Sequence, residues 1–149
     1  MMWINIIKKY FKYDSSIFPV KTPLYGIPDA PRFPYYFSSE TPLESSPDGD
    51  LLEIPPATLK IPVYGNIPIA GGFHFRFLPI FLIKYGINKL NKSGQSAMCY
   101  IHPKDLDKNM PIINSYSWHY YYNLKNAKSK FESILKNFKF CSVREMYSL

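Results

Sequence analysis

The sequence lacks an apolar stretch long enough to cross a bilayer, which requires about 20 residues. Its longest apolar run, residues 77–83, is interrupted by Pro79 and bounded by Arg76 and Lys84. The first residues also lack a signal-peptide pattern, because their lysines follow the apolar residues instead of preceding them. We therefore expect a cytoplasmic protein with no membrane span.

Arginine and cysteine are scarce. Only 3 of the 18 basic residues are arginines, whereas base and phosphate recognition favours arginine. The net charge of +7 thus indicates a solvated surface, and no nucleic-acid partner is expected. The two cysteines, Cys99 and Cys141, lie in apolar runs. We expect them to be reduced residues of buried strands, with no disulfide framework.

Proline and aromatic residues are abundant instead. The chain of 149 residues has 14 prolines, and aromatic residues make up 17% of it. Its length suits a single domain with a sizeable core. Eleven of the prolines lie between Pro19 and Pro68, so few long helices are expected there. Residues 28–50, rich in proline and turn residues, predict an irregular surface insertion.

Helical and extended patterns alternate along the chain, which indicates an α/β architecture. The first thirteen residues predict a basic amphipathic helix, which could pack on a sheet or lie on an anionic membrane. Helices are also predicted from Pro79 to Gly94 and after Asn123. Strands are predicted over residues 13–20, 51–54, 96–101 and 138–143.

The segment 103–123 is longer than most loops of compact domains, which indicates a functional role. It contains Trp118 and a run of tyrosines that includes Tyr121. Aromatic side chains of this kind can stack on sugar faces. His102 directly precedes the segment, at the end of a predicted strand, where β/α barrels carry their chemistry.

The three histidines, His74, His102 and His119, lack the spacing of a hydrolytic zinc site. His102 forms an H-x-x-D-x-D pattern with Asp105 and Asp107, which could ligate a metal ion. Aspartates in a turn more often cap it or face solvent. No serine or cysteine lies in a nucleophile elbow.

Two features near residue 75 leave alternatives open. Gly71–Gly72 could cradle a phosphate, but without the rest of a phosphate-binding loop it favours a close backbone turn. Arg76 could bind an anion or a sugar acid, or it could pair with Glu53.

Three segments, in order, carry a resemblance to a known family: YDSSIFPV (13–20), IPIAGGFHFRFLP (67–79) and YIHPKDLDKNMP (100–111). The chain resembles the C-terminal portion of polysaccharide deacetylases of the NodB-homology family. The most similar branch is found in bacterial exopolysaccharide loci and has a C-terminal extension. The resemblance implies that residues 1–149 are a single C-terminal fragment of an incomplete, distorted β/α barrel.

The resemblance also implies roles for individual residues. The family hydrolyses N-acetyl groups of sugar polymers, and His102 occupies the position of the general acid that protonates the departing amine, for which histidine is suited. Independently of the resemblance, their side-chain chemistry makes Arg76, Trp118 and Tyr121 candidate substrate-binding residues.

Complete members hold zinc or another divalent metal through an aspartate and two histidines. These motifs are not found in this sequence, so we expect no metal site here and no activity of the chain alone. The chain would be either a gene remnant or a subunit completed by a companion chain. The alternative is a non-catalytic carbohydrate-binding or assembly module.

Overall fold

The computed structural model describes residues 2–23 and 25–148; for Met2, Trp3 and Asn5 the description is limited to the backbone. The sequence also places Trp3 on the apolar face of the first predicted helix, and its side chain lies outside the described residues. The helices are α1 (Met2–Tyr10), α2 (Gly72–Phe77), α3 (Ile80–Lys92), α4 (Pro103–Leu106), α5 (Leu124–Asn137) and α6 (Val143–Tyr147), with a 3₁₀ turn at Trp118–Tyr120. The strands are β1 (Tyr13–Asp14), β2 (Tyr35–Phe37), β3 (Leu51–Glu53), β4 (Thr58–Ile61) and β5 (Gly65–Pro68).

The strands form two small sheets. In the first, β3 lies between β1, to which it is parallel, and β2, to which it is antiparallel. The second is the antiparallel hairpin β4–β5. Pro55 and Pro56 separate β3 from β4, because proline cannot donate to a strand ladder.

The first apolar core lies between α1 and the three-stranded sheet. Helix α1 buries Ile4 completely, and its lysines are exposed, so the packing of this helix on a sheet is confirmed. The prediction for residues 28–50 was wrong in part. Their central residues form β2, because Tyr35 and Phe37 alternate with exposed Tyr36 and can face the core. The buried side chains of this cluster are Ile4, Ile17, Ala30, Tyr35, Phe37 and Leu51.

The second core lies between the hairpin and helices α2, α3 and α5. Helix α3 begins directly after Pro79 and ends before Gly94, which has φ of 74°. Helix α5 begins after Asn123, and both helices are confirmed. The buried residues here are Ala57, Leu59, Ile69, Ala70, Phe75, Leu78, Ile83, Ile87, Leu90 and Ile134.

The strand predicted over residues 96–101 is not formed. The side chains do alternate, since Ala97 and Ile101 pack on the second core while Met98 and Tyr100 face a cleft. A strand also needs hydrogen-bonded neighbours. Among the described residues, this segment makes one such backbone bond, in which the Ala57 amide donates to the Met98 carbonyl at 2.9 Å.

The strand predicted over residues 138–143 is not formed. Its last residue, Val143, is instead the first residue of helix α6. Ser142 Oγ accepts a hydrogen bond from the Glu145 amide, and the Glu145 carboxylate accepts from the Ser142 amide, so α6 begins with a capping box. Cys99 and Cys141 are both exposed, which corrects the expectation that they lie in buried strands.

The incomplete β/α barrel stays a prediction. Among residues 2–23 and 25–148, the parallel pairing is that of β1 with β3, and the remaining pairings are antiparallel. Within the same residues, no helix combines the length and the apolar character needed to span a membrane.

Candidate functional site

A cleft of about 620 Å³ brings together two segments that are far apart in the sequence. Ser15 and Ser16, which follow β1, form one side of it, and Tyr100 and His102 form another. The remaining lining is mostly apolar: Phe18, Tyr25, Gly26, Ile27, Pro56 and Met98. A concave, mainly apolar site with a few polar groups is typical of small-ligand binding.

His102 stands at the end of the extended segment and is exposed. Its ring lies edge-on to that of Tyr100, with 5.6 Å between the ring centroids. The backbone of His102 caps α4, whose first residue is Pro103, a residue favoured at that position because its φ is already helical. The helix start therefore fixes the backbone of His102, whose side chain lines the cleft.

Asp105 fixes this helix start. Its Oδ2 accepts a hydrogen bond from the His102 amide at 3.2 Å, and its Oδ1 accepts from Arg76 Nε at 3.1 Å. Asp105 and Arg76 are 2% and 3% exposed, so this is a buried ion pair. The predicted capping role of Asp105 is confirmed, and so is that of Asp107, whose Oδ1 accepts from the Asn109 amide at 2.9 Å.

Arg76 also holds the long segment that follows α4. Its Nη1 donates to the carbonyl oxygens of Tyr120, at 3.2 Å, and Tyr122, at 2.6 Å. Of the alternatives that the sequence left open, the pairing of Arg76 with Glu53 is not formed, because β3 and α2 belong to different cores. Since Arg76 is buried and bonded to protein groups, it acts in this structure as a positioning residue and not as an exposed substrate contact.

The end of α2 is supported by α5. Lys130 Nζ donates to the carbonyl oxygens of Arg76 and Leu78, at 2.7 Å each, where the helix dipole is negative. Asn123 Nδ2 donates to the Arg76 carbonyl at 2.7 Å. Burial lowers the pKa of Lys130. The helix that carries Arg76 is thus fixed from its C-terminal side.

Trp118 belongs to an exposed group of rings, here called the aromatic cluster: Phe73, Phe77, Trp118, His119 and Tyr122. Phe73 is central to it, with centroid distances of 5.8 Å to Trp118 and 5.4 Å to Phe77. Trp118 is 66% exposed and Phe77 50% exposed. The cluster presents ring faces and edges to solvent.

Tyr121 lies outside this cluster. Its hydroxyl accepts a hydrogen bond from the Ile113 amide at 2.7 Å and donates to the Ile113 carbonyl at 3.3 Å. It therefore closes the loop between these residues. Its predicted substrate contact stays a prediction, whereas Tyr122, which the sequence analysis did not single out, packs beside Trp118 at 5.7 Å.

Gly71–Gly72 forms the close backbone turn that we predicted. A Cβ on Gly71 would lie 2.4 Å from the Tyr100 ring, and Gly71 has φ of 105°, a conformation that glycine alone adopts readily. The turn therefore lets Tyr100 pack against the start of α2.

The residues of this chain do not fit the metal site that the resemblance implies for complete enzymes. Across the described part of the chain, no three His, Cys, Asp or Glu side chains converge to hold an ion. In particular, Asp105 is committed to Arg76. We derive no reaction step through a metal.

A family model described as a domain of unknown function, DUF3473, matches residues 15–148 of the chain. The chain belongs to the DUF3473 family. Domains of this family accompany polysaccharide deacetylases. Neither the curated proteins nor the solved structures contain a significant match to this DUF3473 chain.

Contributors to the site that no sequence pattern singles out include Tyr100, Phe73, Tyr122 and Lys130. The steric need for Gly71 could have indicated a bulky neighbour, but not which one. The contacts of Phe73 and Lys130 join α2 to distant segments, and no local pattern encodes them.

Proposed function

We propose that this DUF3473 chain is the C-terminal part of a polysaccharide deacetylase and that His102 is its general acid. The observation that supports the proposal is the shared cleft, because the YDSS and YIHP segments that carry the resemblance both line it. Its volume of about 620 Å³ lies in the range of ligand sites. An exposed imidazole at its mouth can reach a bound acetamido group.

The proposed role of His102 concerns one proton. Hydrolysis of an N-acetyl group adds water to the carbonyl carbon, and the tetrahedral intermediate then breaks its C–N bond. The nitrogen takes a proton from the imidazolium of His102 as it leaves, which gives a free amine and acetate. A positioned general acid contributes roughly 10²–10⁴-fold. Arg76 and Asp105 serve this step indirectly, by holding the backbone of His102.

The proposed enzyme needs metal-binding residues in addition to the residues of this segment. Complete deacetylases activate the attacking water with a metal ion, and we assign the metal-binding residues either to a preceding part of a longer polypeptide or to a companion chain. The substrate class is an N-acetylated polysaccharide, in keeping with the resemblance and with the deacetylases that DUF3473 domains accompany.

Acetate release from an N-acetylated glucosamine hexasaccharide, with zinc added, tests this proposal. We expect no turnover by the chain alone, and turnover when it is co-expressed with the metal-binding segment of a complete deacetylase. His102→Ala should then lower the rate by roughly 10²–10⁴-fold. Lys108→Ala, which changes an exposed residue of the same loop, should leave the rate within about twofold of the original.

The outcomes separate the parts of the proposal. Turnover by the chain alone would contradict the need for additional metal-binding residues. Turnover that survives His102→Ala unchanged would contradict the role of His102, and failure of every combination would contradict the deacetylase assignment.

The aromatic cluster supports a second candidate, a non-catalytic carbohydrate-binding module. Trp118 and Phe77 present exposed rings, and amphipathic rings suit a ligand with both an apolar face and hydroxyl groups. In this case oligosaccharide binding would depend on Trp118 and not on His102.

A further inference from the structure

Two carboxyl groups lie side by side beneath one wall of the cleft. The parallel pairing of β1 and β3 places Asp14 next to Glu53, and Glu53 is 0% exposed. One oxygen of each group has a partner: Glu53 Oε1 accepts from the Ile17 amide, and Asp14 Oδ1 accepts from Ser16 Oγ, both at 2.9 Å. The other two oxygens, Asp14 Oδ2 and Glu53 Oε2, are buried and have no hydrogen-bond partner among the described residues.

No basic side chain of the described residues forms an ion pair with either acid. The ion pairs among all the described residues are Lys8–Asp50 and Arg76–Asp105. The titratable group that faces Glu53 from β2 is Tyr35, whose hydroxyl donates to the Pro42 carbonyl. From α1 the same core receives Ile4, an apolar residue. A buried charge without a partner is very costly, and two adjacent carboxylates cannot both ionise cheaply.

We propose that Asp14 and Glu53 share one proton, through a hydrogen bond between their two otherwise unpartnered oxygens, and that this proton fastens the cleft wall. A protonated carboxyl donates where a carboxylate can only accept, so a single proton satisfies both orphaned oxygens. Burial is the largest cause that raises the pKa of Glu53, to about 7; the charge of Asp14 raises it further, while the backbone amides of Ile17 and Ser16 lower it. The proton is released to solvent as the pH rises through this range.

The wall depends on this pair through short contacts. Residues 14–17 are fixed to β3 and its end by the Ile17 amide on Glu53 and by Ser15 Oγ, which donates to the Ile54 carbonyl at 2.7 Å. Ser15 and Ser16 line the cleft. When the proton leaves, two negative charges on neighbouring strands repel each other, and the edge strand β1 is the element free to move. The cleft wall should therefore be rigid below pH 7 and more mobile above it. This expectation does not depend on the identity of the ligand.

Urea unfolding of the chain between pH 5 and pH 8.5 tests the proposal. The fold raises the pKa of Glu53, so the stabilisation is present below the unfolded value near 4.5 and is lost as the pH rises to about 7. We expect the unfolding equilibrium constant of the wild type to rise by roughly ten- to a hundredfold relative to Glu53→Gln over this range, since each pKa unit is tenfold.

Glu53→Gln is informative because its amide can still accept from the Ile17 amide and can donate permanently to Asp14. Glu44→Gln, at an exposed acid of the 28–50 segment, is the matched control and should retain the wild-type pH dependence. Parallel pH profiles for the wild type and Glu53→Gln would overturn the proposal.

A second measurement needs no variant. The side-chain carboxyl carbon of Glu53, followed by ¹³C NMR in the wild-type chain, should titrate near pH 7, and the protection of the Ile17 amide from hydrogen exchange should fall over the same range. Titration of Glu53 near pH 4.5 would overturn the proposal, even if Glu53→Gln failed to fold.

Discussion

At the scale of single residues, the position of His102 depends on a buried charge pair. Asp105 accepts from both the His102 amide and Arg76, and Arg76 in turn holds two carbonyls of the following loop. The Nε and Nη1 atoms of the guanidinium therefore donate to protein acceptors, and the side chain is buried. Removal of either partner therefore leaves an uncompensated charge in the interior.

We expect Asp105→Ala to lower the free energy of unfolding by about 3–5 kcal/mol, the usual cost of breaking a buried pair. Asp107→Asn, two residues away and exposed, should change it by less than about 0.5 kcal/mol. Urea unfolding followed by fluorescence measures both. The double variant Arg76→Met with Asp105→Leu should lose less than the two single losses added. Additive losses would contradict the coupling.

Local patterns predicted these residues only in part. The capping roles of Asp105 and Asp107 are confirmed because each bonds an amide within three residues along the chain. The acid that pairs with Arg76 depends on which segments pack together. Glu53 and Asp105 are both far from Arg76 in the sequence, and only the packing of α2 against α4 selects Asp105.

At the scale of elements, helix α2 connects the cleft to the aromatic cluster. Gly71, directly before the first residue of α2, packs against Tyr100, which lines the cleft. Its middle and end carry Phe73 and Phe77, two residues of the aromatic cluster. Because Lys130 of α5 binds its last carbonyls, α2 is fixed at both ends.

Gly71→Ala should be much more costly than Gly94→Ala. Both glycines have positive φ, but an added Cβ meets the Tyr100 ring at Gly71 and open space at Gly94. We expect a loss of roughly 1–2 kcal/mol at Gly94 from backbone strain alone. At Gly71, overpacking should add about 1–3 kcal/mol.

Unfolding by urea measures the two losses, and the ¹H–¹³C NMR signals of the Tyr100 ring report the local change. The Tyr100 signals should shift in Gly71→Ala only. Equal losses in the two variants, with Tyr100 undisturbed, would show that the turn does not position the cleft.

Helices were predicted better than strands for a physical reason. The spacing of apolar residues in α3 and α5 is local, and both helices are confirmed, but Asn123 does not cap α5 through its side chain. Residues 96–101 have the alternation of a strand, but strand formation requires neighbours that the local sequence does not specify. The strand prediction for residues 138–143 was wrong because the S-x-x-E pattern at Ser142 starts a helix within this short apolar run.

At the scale of the whole molecule, the cleft joins the two halves of the chain. One wall follows β1 and the first core, and the other follows the segment that packs on the second core. The match over residues 15–148 shows that the chain belongs to the DUF3473 family. The deacetylase activity and the role of His102 remain our proposals, as does the completion of the barrel by a preceding part of a longer polypeptide or by a companion chain.

The most direct test of these proposals is where an N-acetylated sugar binds. We predict that an N-acetylated glucosamine hexasaccharide shifts the backbone NMR signals of Ser15, Tyr100 and His102, and that the fully de-N-acetylated hexasaccharide shifts them much less. The acetyl group is the part that the cleft must recognise. Shifts confined to Trp118 and Tyr122, or shifts that are the same for both sugars, would contradict a deacetylase site at His102.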